Sequence, residues 1–238
     1  MPNWRLPFDD DRQRLSGVVV GALLNDPAEL QVLGEAAHQP PHKAPPVAPV
    51  LEVKPRHTLA GDGAAVVVPA GAAALQAGAS LGIVIGRVAC RVTAGDALRH
   101  VAGYLVAADF SLPLPGHYRP SVRLKARDGF CPIGPAVVPA AAVPDPDDLP
   151  VEVALDGVLA HRHRTGPRVR GVARLVADVS EFMTLNPGDV LLLGRGHGAH
   201  GVPQARAGQQ VQVTIGGVGT LRCRLVDEEA TPPSGGRA

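Results

Sequence analysis

Short apolar segments rich in β-branched residues constrain the fold of this chain more than any other feature. Segments such as SGVVVGALL, AAVVVPA, LGIVIGRV and QVQVTIGGVGTLRCRLV are separated by turn residues, and the chain holds 28 Gly and 24 Pro. Such runs with turn residues between them are typical of strands. They outnumber the helical segments and do not alternate regularly with them. The sequence therefore predicts an α+β fold, a β-rich rolled mixed sheet with a few peripheral helices.

Three segments carry helix signals. The first begins after Asp26, a candidate N-cap, where Glu29 completes the spacing of a capping box before a Pro-Pro stop. The second, TAGDALRHVAG, is predicted to begin at Thr93 and to end at Gly103. The third begins at Val172, where apolar residues recur every three or four positions, so this helix is expected to pack on a sheet.

The length and charge of the chain favour one globular domain. With 238 residues, 45% hydrophobic and 19% charged, the chain suits a single core. Polar ends predict a loosely attached extension over residues 1–16, a domain over 17–229 and a flexible tail over 230–238. A formal net charge of +1 provides no global field for a polyanion, which disfavours nucleic acid as a partner.

Cysteine usage and hydropathy predict a cytoplasmic protein. Cys90, Cys131 and Cys223 are odd in number and widely spaced, which suits a reducing compartment. No segment approaches the roughly 18 apolar residues of a spanning helix, so no membrane association is expected. The histidine segments HRHR and GHGAH have no neighbouring carboxylate or thiolate, and are interpreted as surface loops.

A cationic segment, RPSVRLKARDGFCPIGP, is the most informative stretch for function. Read as a strand, it places Arg123, Lys125 and Arg127 on one face. Such a face is either simply solvated or binds an anion. Lysine is scarce, three residues against twenty arginines, and a turn with two glycines and two prolines follows, as is common beside a ligand. Both features favour anion binding.

Five segments occur in an order that resembles the fumarylacetoacetate hydrolase superfamily, from about Val18 to Asp227. They are KPRHTL, LGIVIGRVACRV, VAGYLVAADFSLP, RLKARDGFCPIGPAVVP and SEFMTLNPGDVLLLG. YRPSVRLKARDGFCPIG and SEFMTLNPGD are similar to the N-terminal half, or smaller subunit, of the bifunctional decarboxylase/isomerases of 4-hydroxyphenylacetate degradation. The resemblance implies a lyase or isomerase of aromatic catabolism. Its implied substrate is a 2-oxo or enol polycarboxylate.

The resemblance also implies a magnesium or manganese site, which this sequence retains only in part. The Glu-x-Glu pair of the family falls at Gly78 and Ser80, and only Asp109 keeps its carboxylate. One carboxylate does not hold a dication that prefers six oxygen ligands. We therefore expect no metal in this chain.

Other residues acquire roles from the resemblance. Lys125 matches the pocket lysine of the family, and its ammonium could stabilise a developing enolate oxygen. His57 and Glu29 are the candidates for proton transfer. Arg119, Arg123 and Arg127 would hold the remote carboxylates of the substrate. Asp109 and Lys54 are two further candidate substrate-binding residues.

Three functional alternatives stay open at this point. The chain is an enzyme subunit of the decarboxylase/isomerase, or a catalytically degenerate partner that supports a metal-bearing homologue, or a C–C bond hydrolase of the same family. The first two predict a dimer, with a second copy or with the homologue.

Overall fold

The computed structural model describes residues 17–113, 121–166, 168–197 and 201–228. The predicted extension (1–16) and the predicted tail (230–238) lie outside the described residues. The strands are β1 (Val19–Leu23), β2 (Val50–Lys54), β3 (Leu59–Ala60), β4 (Ala64–Val68), β5 (Leu75–Ile85), β6 (Val101–Ser111), β7 (Cys131–Pro132), β8 (Val138–Pro139), β9 (Pro150–Leu155), β10 (Val158–Arg164), β11 (Val190–Leu192), β12 (Gln204–Ala205), β13 (Gln210–Ile215) and β14 (Gly219–Asp227). The helices are α1 (Pro27–Leu33), α2 (Ala94–Ala97), α3 (Val122–Lys125) and α4 (Val172–Ser180).

The larger sheet is mixed and is built around two long central strands. Its order is β2-β1-β11-β5-β6-β8, and β12 pairs with the beginning of β5. β5 and β6 pair antiparallel over their whole length, whereas β1 and β11 are parallel. Both central strands are buried almost throughout because both faces of the sheet are covered.

The second sheet contains two hairpins and has the order β10-β9-β13-β14-β4. The hairpin between β9 and β10 turns on Asp156 and Gly157, which both have positive φ, as a two-residue hairpin loop requires. A two-stranded parallel ladder joins β3 to β7. The predicted mixed-sheet α+β architecture is confirmed.

The main core lies between the two sheets. One face of the larger sheet contributes Leu81 and Tyr104, the second sheet contributes Val153 and Leu221, and α4 adds Leu175. The opposite face of the larger sheet carries a smaller apolar cluster that includes Leu105, Cys131 and Val190. Side chains alternate along β5 and β6, so Gln76, Ser80, Asp109 and Ser111, together with Gly78, lie on this opposite face.

Two helix predictions hold and one boundary is wrong. Asp26 caps α1 by accepting a hydrogen bond from the Ala28 amide, and α4 buries its apolar face as expected. The second helix ends in a short 3₁₀ turn, because the chain enters β6 at Val101, and Gly103 lies within that strand. No helix among the described residues has the length and apolar character that crossing a membrane requires.

Two other local predictions are corrected. The segment HRHR forms part of β10 rather than a surface loop, and the rings of His161 and His163 lie 5.0 Å apart. The cationic segment is not a strand: Val122–Lys125 forms the single helical turn α3. A helical turn separates the three cations, so Lys125 is buried while Arg123 is exposed.

Candidate active site

Two lysines and two carboxylates form a buried ionic quartet on the opposite face of the larger sheet. Glu52 Oε1 lies 2.8 Å from the Nζ atoms of both Lys54 and Lys125. The two carboxylate oxygens of Asp109 lie 2.6 Å from Lys54 Nζ and 3.1 Å from Lys125 Nζ. Both lysine side chains are almost fully buried, so each ammonium is held between two carboxylates.

Three elements bring the quartet together. Glu52 and Lys54 are two residues apart on β2 and therefore point to the same face. Asp109 lies near the end of β6. Lys125 ends α3, whose Leu124 carbonyl accepts a hydrogen bond from the amide of Leu112, just after β6. This contact fixes α3 against the strand that carries Asp109.

The pKa shifts of the quartet show opposing effects of burial and charge. Burial alone would lower the pKa of Lys54, but the attraction of Asp109 and Glu52 outweighs it and raises that pKa. Burial lowers the pKa of Lys125, and the positive charges of Lys54 and Arg195 add to this effect. Burial opposes ionisation of Asp109, yet Lys125 and Lys54 hold its pKa well below the usual range. Asp109 is therefore an anion already saturated with ammonium partners.

A third cation, Arg195, lies beside the quartet without a carboxylate of its own. It is 7% exposed. Its Nη1 donates to Gln76 Oε1 at 3.3 Å and to Ser111 Oγ at 3.0 Å, both neutral groups. Among the described residues, its buried Nε has no hydrogen-bond partner and no carboxylate lies within ion-pair distance of the guanidinium. A buried guanidinium with a free donor is costly unless an anion satisfies it.

The turn after β11 delivers Arg195 to this position. The Gly194 amide donates to Ser80 Oγ at 3.1 Å, and Asn25 Nδ2 donates to the Leu193 carbonyl at 2.8 Å. Gly194 has φ +99°, and a Cβ there would lie 2.8 Å from the Ala22 carbonyl oxygen. This position therefore requires glycine. Ser80, at a ligand position of the family pattern, serves instead to hold the turn.

The metal implied by the resemblance does not fit these residues. Gly78 pairs with Asp109 across β5 and β6, and a Cβ on Gly78 would lie 2.7 Å from Arg195 Cδ. The arginine stem thus fills the space in which a glutamate side chain would begin. Within the described part of the chain, no three acidic, histidine or cysteine side chains are placed to hold a metal ion. Cationic groups replace ligand oxygens here.

The other predicted site residues are not among the four side chains of the quartet. Arg127 donates through Nε to the Arg123 carbonyl, and it lines a surface cleft of about 400 Å³. His57 is exposed, with Nε2 3.0 Å from the Ala126 carbonyl oxygen. Glu29 is buried at the start of α1, where it accepts a hydrogen bond from the Leu24 amide at 2.9 Å. Arg119 lies outside the described residues.

Sequence reasoning missed two members of the site. Glu52 precedes Lys54 by two residues, and this period-two spacing on a strand was a usable signal. Arg195 carries no such signal, because it follows a glycine in a loop-like segment. Cys131 is buried beside the quartet, and burial raises its pKa to about 12, so it is a packing residue.

Comparisons with known proteins agree with the fold. The family described as "Fumarylacetoacetate (FAA) hydrolase C-terminal" matches residues 18–226. The 4-hydroxyphenylacetate degradation bifunctional isomerase/decarboxylase of Escherichia coli is 38% identical over 218 residues, 90% of this chain and 48% of that protein. The chain thus spans about half the length of this curated relative.

Solved structures extend the comparison. A 5-carboxymethyl-2-hydroxymuconate delta-isomerase from Mycobacterium smegmatis superposes with a TM-score of 0.72 at 30% identity, covering 89% of this chain and 79% of the other. A fumarylpyruvate hydrolase from Pseudomonas aeruginosa, solved with Mn²⁺ and pyruvate, has a TM-score of 0.75 at 25% identity, covering 89% and 90%. The chain belongs to the fumarylacetoacetate hydrolase family.

Proposed function

We propose that this chain is a metal-independent isomerase subunit of aromatic catabolism. It would belong to the 5-oxopent-3-ene-1,2,5-tricarboxylate decarboxylase / 2-hydroxyhepta-2,4-diene-1,7-dioate isomerase system. The single observation that carries the proposal is the cluster of three buried cations, Lys54, Lys125 and Arg195, against two carboxylates in the described part of the chain. The cluster has one positive charge in excess, which suits an anionic substrate.

The chemistry of isomerisation suits this cluster better than decarboxylation does. Isomerisation removes a proton from the enol oxygen and adds one at the far carbon of the diene, so the double bonds shift without any oxidant. The intermediate is a dienolate anion, which nearby ammonium and guanidinium groups stabilise. Decarboxylation leaves an electron pair on the 2-oxo fragment, for which a chelated dication is the stronger acceptor. The described residues of this chain do not form a ligand set that would hold such a dication.

The roles assigned to individual residues are part of the proposal. The Lys125 ammonium would face the enolate oxygen, and Lys54 would keep Lys125 in place through their shared carboxylates. His57 and Glu29 remain the predicted proton-transfer groups. Cytoplasmic location and dimerisation, with a second copy or with a metal-bearing homologue, are likewise proposed.

One observation favours a second candidate, in which the chain is a degenerate partner of a metal-bearing homologue. Both ammonium groups are already neutralised by Glu52 and Asp109 at hydrogen-bonding distance. A quartet of this kind can also act as a rigid structural element. In that case the excess charge of Arg195 would have no catalytic use.

Assays of the isolated chain separate the two candidates. Loss of dienol absorbance reports isomerisation, release of carbon dioxide reports decarboxylation, and cleavage products report C–C hydrolysis. The proposal predicts isomerisation by the chain alone, a loss of about 10²-fold or more in kcat for Lys125→Met, and no loss for Arg174→Met, which changes an exposed arginine on α4. If the chain shows activity only after mixing with the metal-bearing homologue, the partner role is correct instead.

A further inference from the structure

We propose that Arg195, Gln76 and Ser111 form a carboxylate-binding subsite in the position where metal-bearing relatives would place their dication. The inference deepens the proposed function and depends on it for the substrate class, a 2-oxo or enol carboxylate. The binding of a carboxylate by this subsite does not depend on the proposed function. A negatively charged ligand would therefore contact the protein directly.

The donor geometry of Arg195 supports this subsite. Nη1 is already held by two neutral side chains, and Ser111 Oγ in turn donates to Gln76 Oε1 at 3.0 Å. The guanidinium is thus oriented in advance, while its buried Nε–H has no acceptor in the part of the chain that the structure describes. An oriented arginine with a free donor matches a carboxylate oxygen, because guanidinium and carboxylate form strong charge-assisted hydrogen bonds.

The charge balance of the surroundings also requires an anion. Asp109 is the nearby carboxylate whose pKa Arg195 helps to lower, but both of its oxygens already accept from lysines. Glu52 Oε1 is likewise shared by the two lysines. Within the described residues, the positive charge of Arg195 has no close counter-charge, and burial makes this charge expensive.

Gly78, Ser80 and Gly194 together place Arg195 in the subsite. Gly78 leaves room for the arginine stem, and Ser80 holds the Gly194 amide so that the chain turns Arg195 toward β5 and β6. The two positions at which the family pattern has glutamates therefore support an arginine. This coordinated replacement changes the preferred ligand from a cation to an anion.

Binding of oxalate and pyruvate to the intact chain tests the subsite without turnover. Calorimetry and thermal melting are carried out at constant ionic strength, with sulfate and inorganic phosphate as comparison anions. Saturable binding of the carboxylates is expected, and it should weaken about tenfold or more in Arg195→Gln. Arg170→Gln removes a partly buried arginine that is paired with Asp178, and it should leave the affinity unchanged.

A second measurement covers the case in which Arg195→Gln does not fold. The Nε–H resonance of Arg195 in the ¹⁵N spectrum of the unchanged chain should move as oxalate is added. Equal oxalate affinity in Arg195→Gln, a stationary resonance, no saturable binding, or tighter binding of phosphate than of oxalate would each overturn the subsite. Turnover without such binding would overturn only the subsite, whereas binding without turnover would overturn only the proposed isomerase function.

Discussion

At the scale of single residues, the stability of the site depends on two carboxylates that are shared by two buried lysines. Lys54 and Lys125 each contact both Glu52 and Asp109, so removal of either ammonium leaves buried negative charge with one partner fewer. Loss of one member of a buried ion pair costs more free energy than the pair contributes over apolar residues. The quartet is therefore sensitive to single substitutions.

Substitution of either lysine should measurably destabilise the fold. We expect Lys54→Met and Lys125→Met each to lower the free energy of unfolding by about 3–5 kcal/mol in urea titrations, because Glu52 and Asp109 each lose one of their two ammonium partners. Arg123→Met, an exposed change in the same segment as Lys125, should alter the free energy by no more than about 0.5 kcal/mol. Similar small effects for all three variants would show that the quartet contributes little.

The sequence grouped residues that match the family's motifs and missed a residue whose place depends on tertiary structure. Lys125, Asp109 and Lys54 were predicted as site residues, and the structure brings these three together. Arg195 was missed because its place depends on a turn held by Ser80, more than a hundred positions away. Its proximity follows from the pairing of β11 with β5, which no local pattern reveals.

At the scale of elements, strands were predictable and the cationic segment was not. Long apolar runs such as those of β5 and β6 have the composition of buried strands. The alternation in SVRLKARD is equally compatible with a strand and with one helical turn. In the helical turn α3, Lys125 contacts Glu52 and Asp109. These tertiary ion pairs favour the helical turn over the strand.

The turn after β11 is the element that places Arg195, and a glycine substitution tests it. Gly194→Ala combines positive φ with a Cβ close to a backbone carbonyl, whereas Gly208→Ala has a similar φ of +89° and no atom within 4 Å. We expect Gly208→Ala to cost about 1 kcal/mol of stability and Gly194→Ala to cost about 1–3 kcal/mol more. Oxalate affinity should fall only in Gly194→Ala. Equal effects in both variants would contradict the proposed role of this turn.

At the scale of the whole molecule, the chain has the family fold, and its site carries more buried cations than carboxylates. The matched region extends over residues 18–226, so both sheets and the strand pair β5–β6 are retained. The sequence predicted this ancestry because its motifs are spread along the whole chain. It predicted the missing carboxylates at Gly78 and Ser80 as well, but not the arginine that fills their space.

Cationic side chains stand where the family pattern has metal ligands, and they should prevent binding of a dication. Titration of Mn²⁺ with the isolated chain tests this claim most directly. Paramagnetic resonance measures the free ion. We predict that the free-ion signal keeps its full intensity when an equivalent of the chain is added, in the unchanged protein and in Asp109→Asn alike. Loss of one equivalent of free Mn²⁺ with the unchanged chain, restored by Asp109→Asn, would contradict the account.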